Sequence, residues 1–357
     1  MAAKILVAPL NWGLGHATRC VPIINELQKQ GASVVLGANG LAAKFLQDYY
    51  PTLAFIHLPS YEVTYQQSGS FSLNMLMQLP NLAQSIQHDQ KLIQKVAKQL
   101  DINGIVSDNR YGVYHPDVPS AIVTHQMAIQ AIGLQRFGIP FMNYFIRKYL
   151  KSFTQCWIPD YELAPGLAGK LSHPNPISLQ HQYVGPLSRF SYVPHIALDP
   201  EFDIMAILSG PEPQRSLLEQ EILNKSANFD GKVLLLRGLP GTNQMLSVPR
   251  NVTMFNHLAD AQLLEMLAKS RTIICRSGYS SIMDLEALGR HAFLVPTPGQ
   301  PEQEYLAKLH ADSGGFTSIS QGALNLDLIA NYKPQPKTKP QQGNQLSLAI
   351  ARFLQSL

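Results

Sequence analysis

The stretch Lys4-Ile5-Leu6-Val7-Ala8-Pro9-Leu10-Asn11-Trp12-Gly13-Leu14-Gly15-His16-Ala17-Thr18-Arg19-Cys20-Val21-Pro22-Ile23-Ile24-Asn25-Glu26-Leu27 decides the fold. Residues 4–8 are an apolar run of strand length. Gly13 and Gly15 make a turn, and Val21, Ile23, Ile24 and Leu27 then recur at helical spacing, with Pro22 near the helix start and Gly31 as a stop. A buried strand, a glycine turn and an amphipathic helix open a βαβ unit, and such units build parallel sheets. The same alternation continues, with strands expected at 32–38, 53–58, 104–107 and 121–124 and a long helix at 81–100. Polar residues stand where these strands end: His16 beyond the first, Asp108 and His125 beyond the last two. Ligands of open α/β sheets bind beyond the carboxyl ends of the strands, so these three are expected to face one crevice.

A second α/β series follows. After the strand-like Gln182-Tyr183-Val184, residues 186–200 hold three prolines and no helical pattern, the composition of a linker. Strands are expected at 203–208, 232–236, 252–255, 272–275 and 292–295, with helices near 215–225, 260–270, 280–288 and 302–311. The reading is thus α/β with two Rossmann-like domains, 1–185 and 201–332. Residues 333–357 then comprise a proline-rich spacer at 333–340 and a short terminal helix carrying Leu346, Ile350, Phe353 and Leu354.

Composition narrows the function class. Of 357 residues, 45% are hydrophobic and 15% charged, against about 25% charged in a typical soluble protein, which excludes disorder over most of the chain. A net charge of +4 is too small for a nucleic-acid groove but helps to hold an anionic small molecule. Cys20, Cys156 and Cys275 lack CxxC spacing, so neither a disulfide framework nor a zinc site is expected. With no signal-like start and no long apolar run, the expected location is the cytoplasm. Residues 141–151 mix aromatics with Arg147, Lys148 and Lys151; this segment either packs on the sheet with snorkelling cations or rests peripherally on the inner face of an anionic membrane.

Three segments carry chemistry. The loop around Gly13 and Gly15 lets backbone approach a ligand, but Thr18 stands where a dinucleotide fingerprint needs its third glycine, so NAD binding is disfavoured. His16 instead sits at a helix N-terminus, whose dipole favours the neutral, proton-accepting imidazole; capping the helix or packing on Trp12 are the simpler alternatives. In Cys275-Arg276-Ser277-Gly278-Tyr279-Ser280-Ser281-Ile282-Met283-Asp284, a strand meets a Ser-Gly turn that opens a helix. Its free N–H groups suit a phosphate, and Asp284, one turn further on, suits a ribose diol; an ordinary N-cap by Ser280 and a solvated Asp284 would look the same. Pro296 to Tyr305 places Gln303 and Glu304 where they suit sugar hydroxyls, or simply open a helix.

Together, Gly13-Leu14-Gly15-His16, Asp108, Thr124-His125-Gln126, Tyr183-Val184-Gly185-Pro186, Arg276-Ser277-Gly278 with Asp284, and Pro296 through Gln303-Glu304 resemble the nucleotide-sugar glycosyltransferases of the GT-B fold. The nearest pattern is that of the MurG-type N-acetylglucosaminyltransferases of peptidoglycan lipid-intermediate synthesis. The resemblance implies an acceptor-side N-terminal domain, a donor-binding C-terminal domain, and an interdomain cleft. It implies inverting, metal-independent transfer from a nucleoside-diphosphate donor, UDP-linked, to a hydroxyl acceptor that is lipid-linked if the membrane is touched. No cofactor beyond the nucleotide-sugar co-substrate is implied.

By position, the resemblance makes His16 the general base and Asp108 its orienting carboxylate, with Gly13, Gly15, His125 and Gln126 on the acceptor side. Ser277, Gly278, Tyr279 and Ser280, with Arg276, hold the diphosphate, Asp284 the ribose, Gln303 and Glu304 the sugar, and backbone at Leu258 the base. Two departures count against the cell-wall enzyme itself. Gln126 stands where that family has a carboxylate. The glycine-rich phosphate loop is replaced by Ser209-Gly210-Pro211-Glu212-Pro213-Gln214-Arg215, whose prolines lack N–H donors and whose Glu212 repels a diphosphate unless Arg215 compensates. A nucleotide-sugar 2-epimerase and a non-catalytic nucleotide-sugar-binding subunit are the competing readings.

Overall fold

A computed structural model of the chain describes residues 2–59, 71–127, 139–174, 180–194, 198–244, 246–312, 315–333 and 343–357. Two units form, one from Met1–Ser191 with Gln341–Leu357 and one from Tyr192–Pro340. The first holds a seven-stranded sheet of β1 (Lys4–Pro9), β2 (Ser33–Ala38), β3 (Ala54–His57), β4 (Gly104–Asp108), β5 (Ser120–Val123), β6 (Gln155–Ile158) and β7 (His181–Tyr183). The spatial order is β3-β2-β1-β4-β5-β6-β7, parallel throughout. Strands covered on both faces need no polar side, which is why 5–8 and 105–106 read as unbroken apolar runs and are fully buried.

Helices α1 (Gly15–Lys29), α2 (Gly40–Tyr49), α3 (Phe71–Leu100) and α4 (Ile139–Leu150) accompany this sheet. The sequence pattern does not mark α2 or β6. In β6 only four residues, Gln-Cys-Trp-Ile, pair with their neighbours, too few to show a period. α4 buries Ile146 and Leu150 with Ile122 and Ile158, while Tyr144 and Lys148 face solvent. The packed alternative for this segment is therefore realised along its second half.

The Tyr192–Pro340 unit repeats the plan with six strands: β8 (Phe202–Ile207), β9 (Val233–Leu236), β10 (Val252–Phe255), β11 (Ser270–Cys275), β12 (Phe293–Leu294) and β13 (Thr317–Ser318). They lie in the order β10-β9-β8-β11-β12-β13, again all parallel. Its helices are α5 (Gln214–Ser226), α6 (Asp260–Ala268), α7 (Tyr279–Ala287), α8 (Pro301–Asp312) and α9 (Leu326–Ala330). One face of the sheet packs Ile204, Ala206, Leu235 and Ile274 with Leu218 and Ile222 of α5 and Ile329 of α9.

The chain divides after Ser191, and in the first part of the expected linker Leu187 and Phe190 are buried. The spacer expected at 333–340 lies, but for Lys333, outside the described residues. The terminal helix α10 (Gln345–Gln355) belongs to the first unit, where Phe353 meets Trp157 edge-on with ring centroids 5.6 Å apart and Gln30 Nε2 donates to the Ser347 carbonyl at 2.9 Å. Among the described residues no helix is long and apolar enough to cross a membrane.

Each strand order reverses direction at one place, between β1 and β4 in the first sheet and between β8 and β11 in the second. Loops leave such a point on opposite sides and open a crevice at the strands' carboxyl ends. The His16 loop, Asp108, the Ser209 to Arg215 loop and the Arg276 turn follow these four strands, while His125 follows β5, Leu258 β10 and the Pro296 to Tyr305 segment β12.

Candidate active site

At the first reversal, β1 leads through Gly13 into α1. Gly13 has φ +69°, a left-handed backbone that a side chain resists, so the turn needs glycine there. Gly15 is the first residue of α1 and His16 the second. Asp108 ends the neighbouring β4, in register with Pro9, and is fully buried. Asn109 after it takes φ +57°, a conformation asparagine tolerates better than most residues, which turns the chain off the strand at the carboxylate. The two expected partners meet: His16 Nδ1 lies 3.2 Å from Asp108 Oδ2.

A third residue completes the group. Arg19 Nε donates to Asp108 Oδ1 at 2.9 Å and Oδ2 at 2.7 Å, its Nη2 also contacts Oδ1, and Nη2 lies 2.8 Å from His16 Nδ1. His16 and Arg19 are three residues apart on α1 and so share a helix face. Sequence reasoning gave Arg19 no role; the His-x-x-Arg spacing across the first turn was the available signal. Burial lowers the His16 pKa, Arg19 and His125 lower it further, and Asp108 opposes them. The imidazole is thus neutral at pH 7 for reasons that differ from the helix dipole alone. Burial raises the Asp108 pKa, but the charges of Arg19 and His16 and their hydrogen bonds bring it below the usual carboxylate value. His125, buried beyond β5, bears on the charge of His16, and the Gln126 backbone N–H donates to Thr124 Oγ1 at 3.1 Å.

At the second reversal the expected donor residues divide into two kinds. Gly278 caps α7 and has open space where a side chain would stand, so backbone is approachable there. Tyr279 is buried, Ser280 and Asp284 are half-buried on the first turns of α7, and Leu258 is buried just before α6. Arg276 and Ser277, by contrast, are fully buried and act inside the protein. The Arg276 guanidinium donates to the carbonyls of Gln214 at 2.6 Å and of Val295 and Pro296 at 3.3 Å, and Ser277 Oγ donates to the Gln303 carbonyl at 2.8 Å. Burial brings the Arg276 pKa down to about 10, so the side chain stays charged. It ties the loops after β8, β11 and β12 together.

Gln303 Oε1 accepts from the Thr297 N–H and Glu304 Oε1 from the Gly299 N–H, each at 2.9 Å, so both side chains brace the loop before α8. Thr297 Oγ1 is buried without a hydrogen-bond partner among the described residues. Across from it is Gly210, where a Cβ would come within 3.7 Å of that oxygen.

The departing loop resolves as the charges suggest. Glu212 Oε1 accepts from Arg215 Nε at 2.6 Å and Oε2 from the Ser216 N–H at 3.1 Å, while Arg215 Nη1 also lies 3.3 Å from Glu219 Oε1. The N–H groups of Arg215 and Leu217 are taken by the carbonyls of Pro211 and Pro213. Two of the otherwise free first-turn donors of α5, those of Arg215 and Ser216, are therefore spent inside the protein, and a carboxylate already occupies the place a phosphate takes at a helix N-terminus. Arg215 compensates Glu212, as the loop requires, and also pairs with Glu219.

Comparison with known proteins bears on the fold. Residues 220–349 match the glycosyltransferase family 28 C-terminal domain. The chain superimposes on the crystal structure of MurG from Acinetobacter baumannii with a TM-score of 0.59 at 14% identity, covering 100% of both chains. The fold is that of a GT-B glycosyltransferase. An uncharacterized glycosyltransferase of Methanosarcina acetivorans is 23% identical over 334 residues, 87% of this chain and 84% of its own. A UDP-N-acetylglucosamine--N-acetylmuramyl-(pentapeptide) pyrophosphoryl-undecaprenol N-acetylglucosamine transferase of Rhizobium etli is 32% identical over 97 residues, 27% of this chain and 25% of its own. In GT-B terms, the His16 group belongs to the N-terminal Rossmann-like unit and the α7 turn to the C-terminal one. Among the described residues no group of three or more His, Cys, Asp and Glu side chains is placed to hold a metal ion.

Proposed function

We propose that this glycosyltransferase moves a sugar from a UDP-linked donor to a hydroxyl acceptor with inversion at the anomeric carbon. The observation that carries the reading is His16 on the buried Asp108 carboxylate at the reversal point of the first sheet. His16 Nε2 takes the acceptor proton, the freed oxygen bonds to the anomeric carbon, and the nucleoside diphosphate leaves with the electron pair of the broken C–O bond. The α7 N-terminus disperses the charge of the departing diphosphate in place of a metal ion, and Asp284 accepts from the ribose. The donor base is supported by the UDP-sugar in the name of the Rhizobium relative.

Thermal unfolding with UDP, GDP and TDP tests donor binding, since a ligand at about 100 times its Kd adds roughly 2.7 kcal/mol to stability. A raised midpoint with UDP alone is expected; no shift with any of the three overturns the donor assignment. Transfer is then read by product analysis with and without alcohol acceptors, and an epimerised donor in their absence would point to the 2-epimerase instead.

A lipid-linked acceptor belongs to the same proposal, supported by the undecaprenol in that relative's name and by Tyr144 and Lys148 on the outer side of α4. Co-sedimentation with anionic vesicles at low salt is expected and should fade as salt screens the cations. Protein that stays in the supernatant at low salt would remove the membrane from the account.

A further inference from the structure

A carboxylate paired with an imidazole ordinarily strengthens the base, because it stabilises the imidazolium. Here Asp108 is shared unequally. Its shorter contacts, 2.7 and 2.9 Å, go to Arg19 Nε, and His16 Nδ1 is left at 3.2 Å. Arg19 Nη2 meanwhile stands 2.8 Å from the same Nδ1. A guanidinium only donates and a carboxylate only accepts. The Nδ1 of a neutral imidazole therefore satisfies one of them at a time: it carries a proton toward Asp108 or offers a lone pair to Arg19. In an imidazolium Nδ1 must carry its proton, which then faces the Arg19 N–H at 2.8 Å.

The setting makes this consequential. Arg19 is 3% exposed and Asp108 0%, so the charges act through little water. The groups facing His16 are Arg19 from its own helix, Asp108 from the end of β4, and His125 from beyond β5. Cys20 Sγ lies 3.9 Å from Asp108 Oδ2, and burial keeps its thiol protonated. Arg19 touches both members of the pair and carries a permanent charge.

We propose that Arg19 is a positioning residue that sets the proton affinity of His16, by neutralising the Asp108 carboxylate and opposing the positive charge that a second proton would place on the imidazole. The inference rests on the reading of His16 as general base for its catalytic meaning, but not for its measurement. Arg19 would keep the imidazole neutral in the resting protein, while Asp108 holds its ring through Nδ1–H and leaves Nε2 to accept a proton.

The test is an NMR titration of 15N-histidine-labelled protein, with the His16 signal assigned by its loss in His16→Asn. In the unsubstituted protein His16 is expected to titrate below the ordinary histidine value of about 6.5. In Arg19→Gln its midpoint should rise by about one unit or more, as expected when a close like charge is removed beside an intact carboxylate. Arg19→Lys, which keeps the charge without the planar fork, should stay closer to the unsubstituted protein than Arg19→Gln does. A midpoint in Arg19→Gln that is unchanged or lower overturns the proposal. Should that variant fail to fold, a midpoint at or above about 6.5 in the unsubstituted protein overturns it equally. The acid limb of kcat/KM against pH should follow the NMR midpoint. If the NMR shift appears and the limb does not move, it is the general-base reading that fails and the Arg19 assignment stands.

Discussion

Replacing His16 by alanine is expected to lower kcat for transfer by about 10²–10⁴-fold, the usual worth of a positioned general base, while donor affinity stays unchanged. The expectation follows from the roles proposed: His16 belongs to the N-terminal unit, at its β1–β4 reversal, and the expected donor contacts belong to the other unit, those of α7 at its β8–β11 reversal. UDP titration of the variant beside a steady-state assay checks both halves. Equal losses in affinity and turnover would make His16 a structural or donor-binding residue, and full activity would return the helix-capping reading to first place.

The same residue predicts a pH dependence whose sign is set by its surroundings. Burial and then Arg19 hold the His16 pKa below its ordinary value. If His16 is the base proposed, kcat/KM should therefore fall only on the acid side of about 6.5. For stability the sign is the same. A histidine whose folded value is depressed binds its proton more readily unfolded, so its contribution to stability is present at neutral pH and declines as pH falls below the unfolded value.

Asp108→Ala is expected to be the most damaging substitution for stability, at about 3–5 kcal/mol, because it leaves a buried cation without its carboxylate. Arg19 is 3% exposed and loses both oxygens that Nε addresses, and β4 loses the side chain at its carboxyl end. Urea unfolding of the protein and of Asp108→Ala, with Asp108→Asn beside them, measures the loss. The asparagine variant, which keeps one acceptor, should fall between the two. A cost under about 1 kcal/mol for the alanine variant would mean that the pair contributes no more than an exposed ion pair does. Since the folded Asp108 pKa lies below its unfolded value, the contribution of the pair is present above about pH 4 and is lost as pH falls through the folded value. The acid midpoint of unfolding should therefore move upward in the asparagine variant.

The residues of the two reversal points were legible in different degrees. His16, Asp108 and the α7 turn stand at the ends of apolar runs, where a break in hydrophobicity is visible from composition alone. Arg276 shows the limit of that reading. Its place beside Ser277 suggested contact with the diphosphate, but the side chain turns inward to the carbonyls of Gln214, Val295 and Pro296, which are distant in the chain and adjacent only once β8, β11 and β12 pair. Glu212 was read as a repulsion to be relieved, and it became a cap on its own helix because Arg215 and the Ser216 N–H lie within one turn of it.

What the chain's own order of residues determined was the architecture. Apolar runs of strand length, glycine turns and helical periodicity are local signals, and right-handed crossover of βαβ units leaves few ways to assemble them. The terminal helix could be seen from Leu346, Ile350 and Phe353, but its packing on Trp157 in the first unit could not, since that depends on a surface made by residues far earlier in the chain, Gln30 and Trp157 among them. Tertiary structure alone decided how Asp108 divides itself between Arg19 and His16. Partition of one buried carboxylate between two donors is set by differences of tenths of an ångström, and no pattern along the chain encodes these.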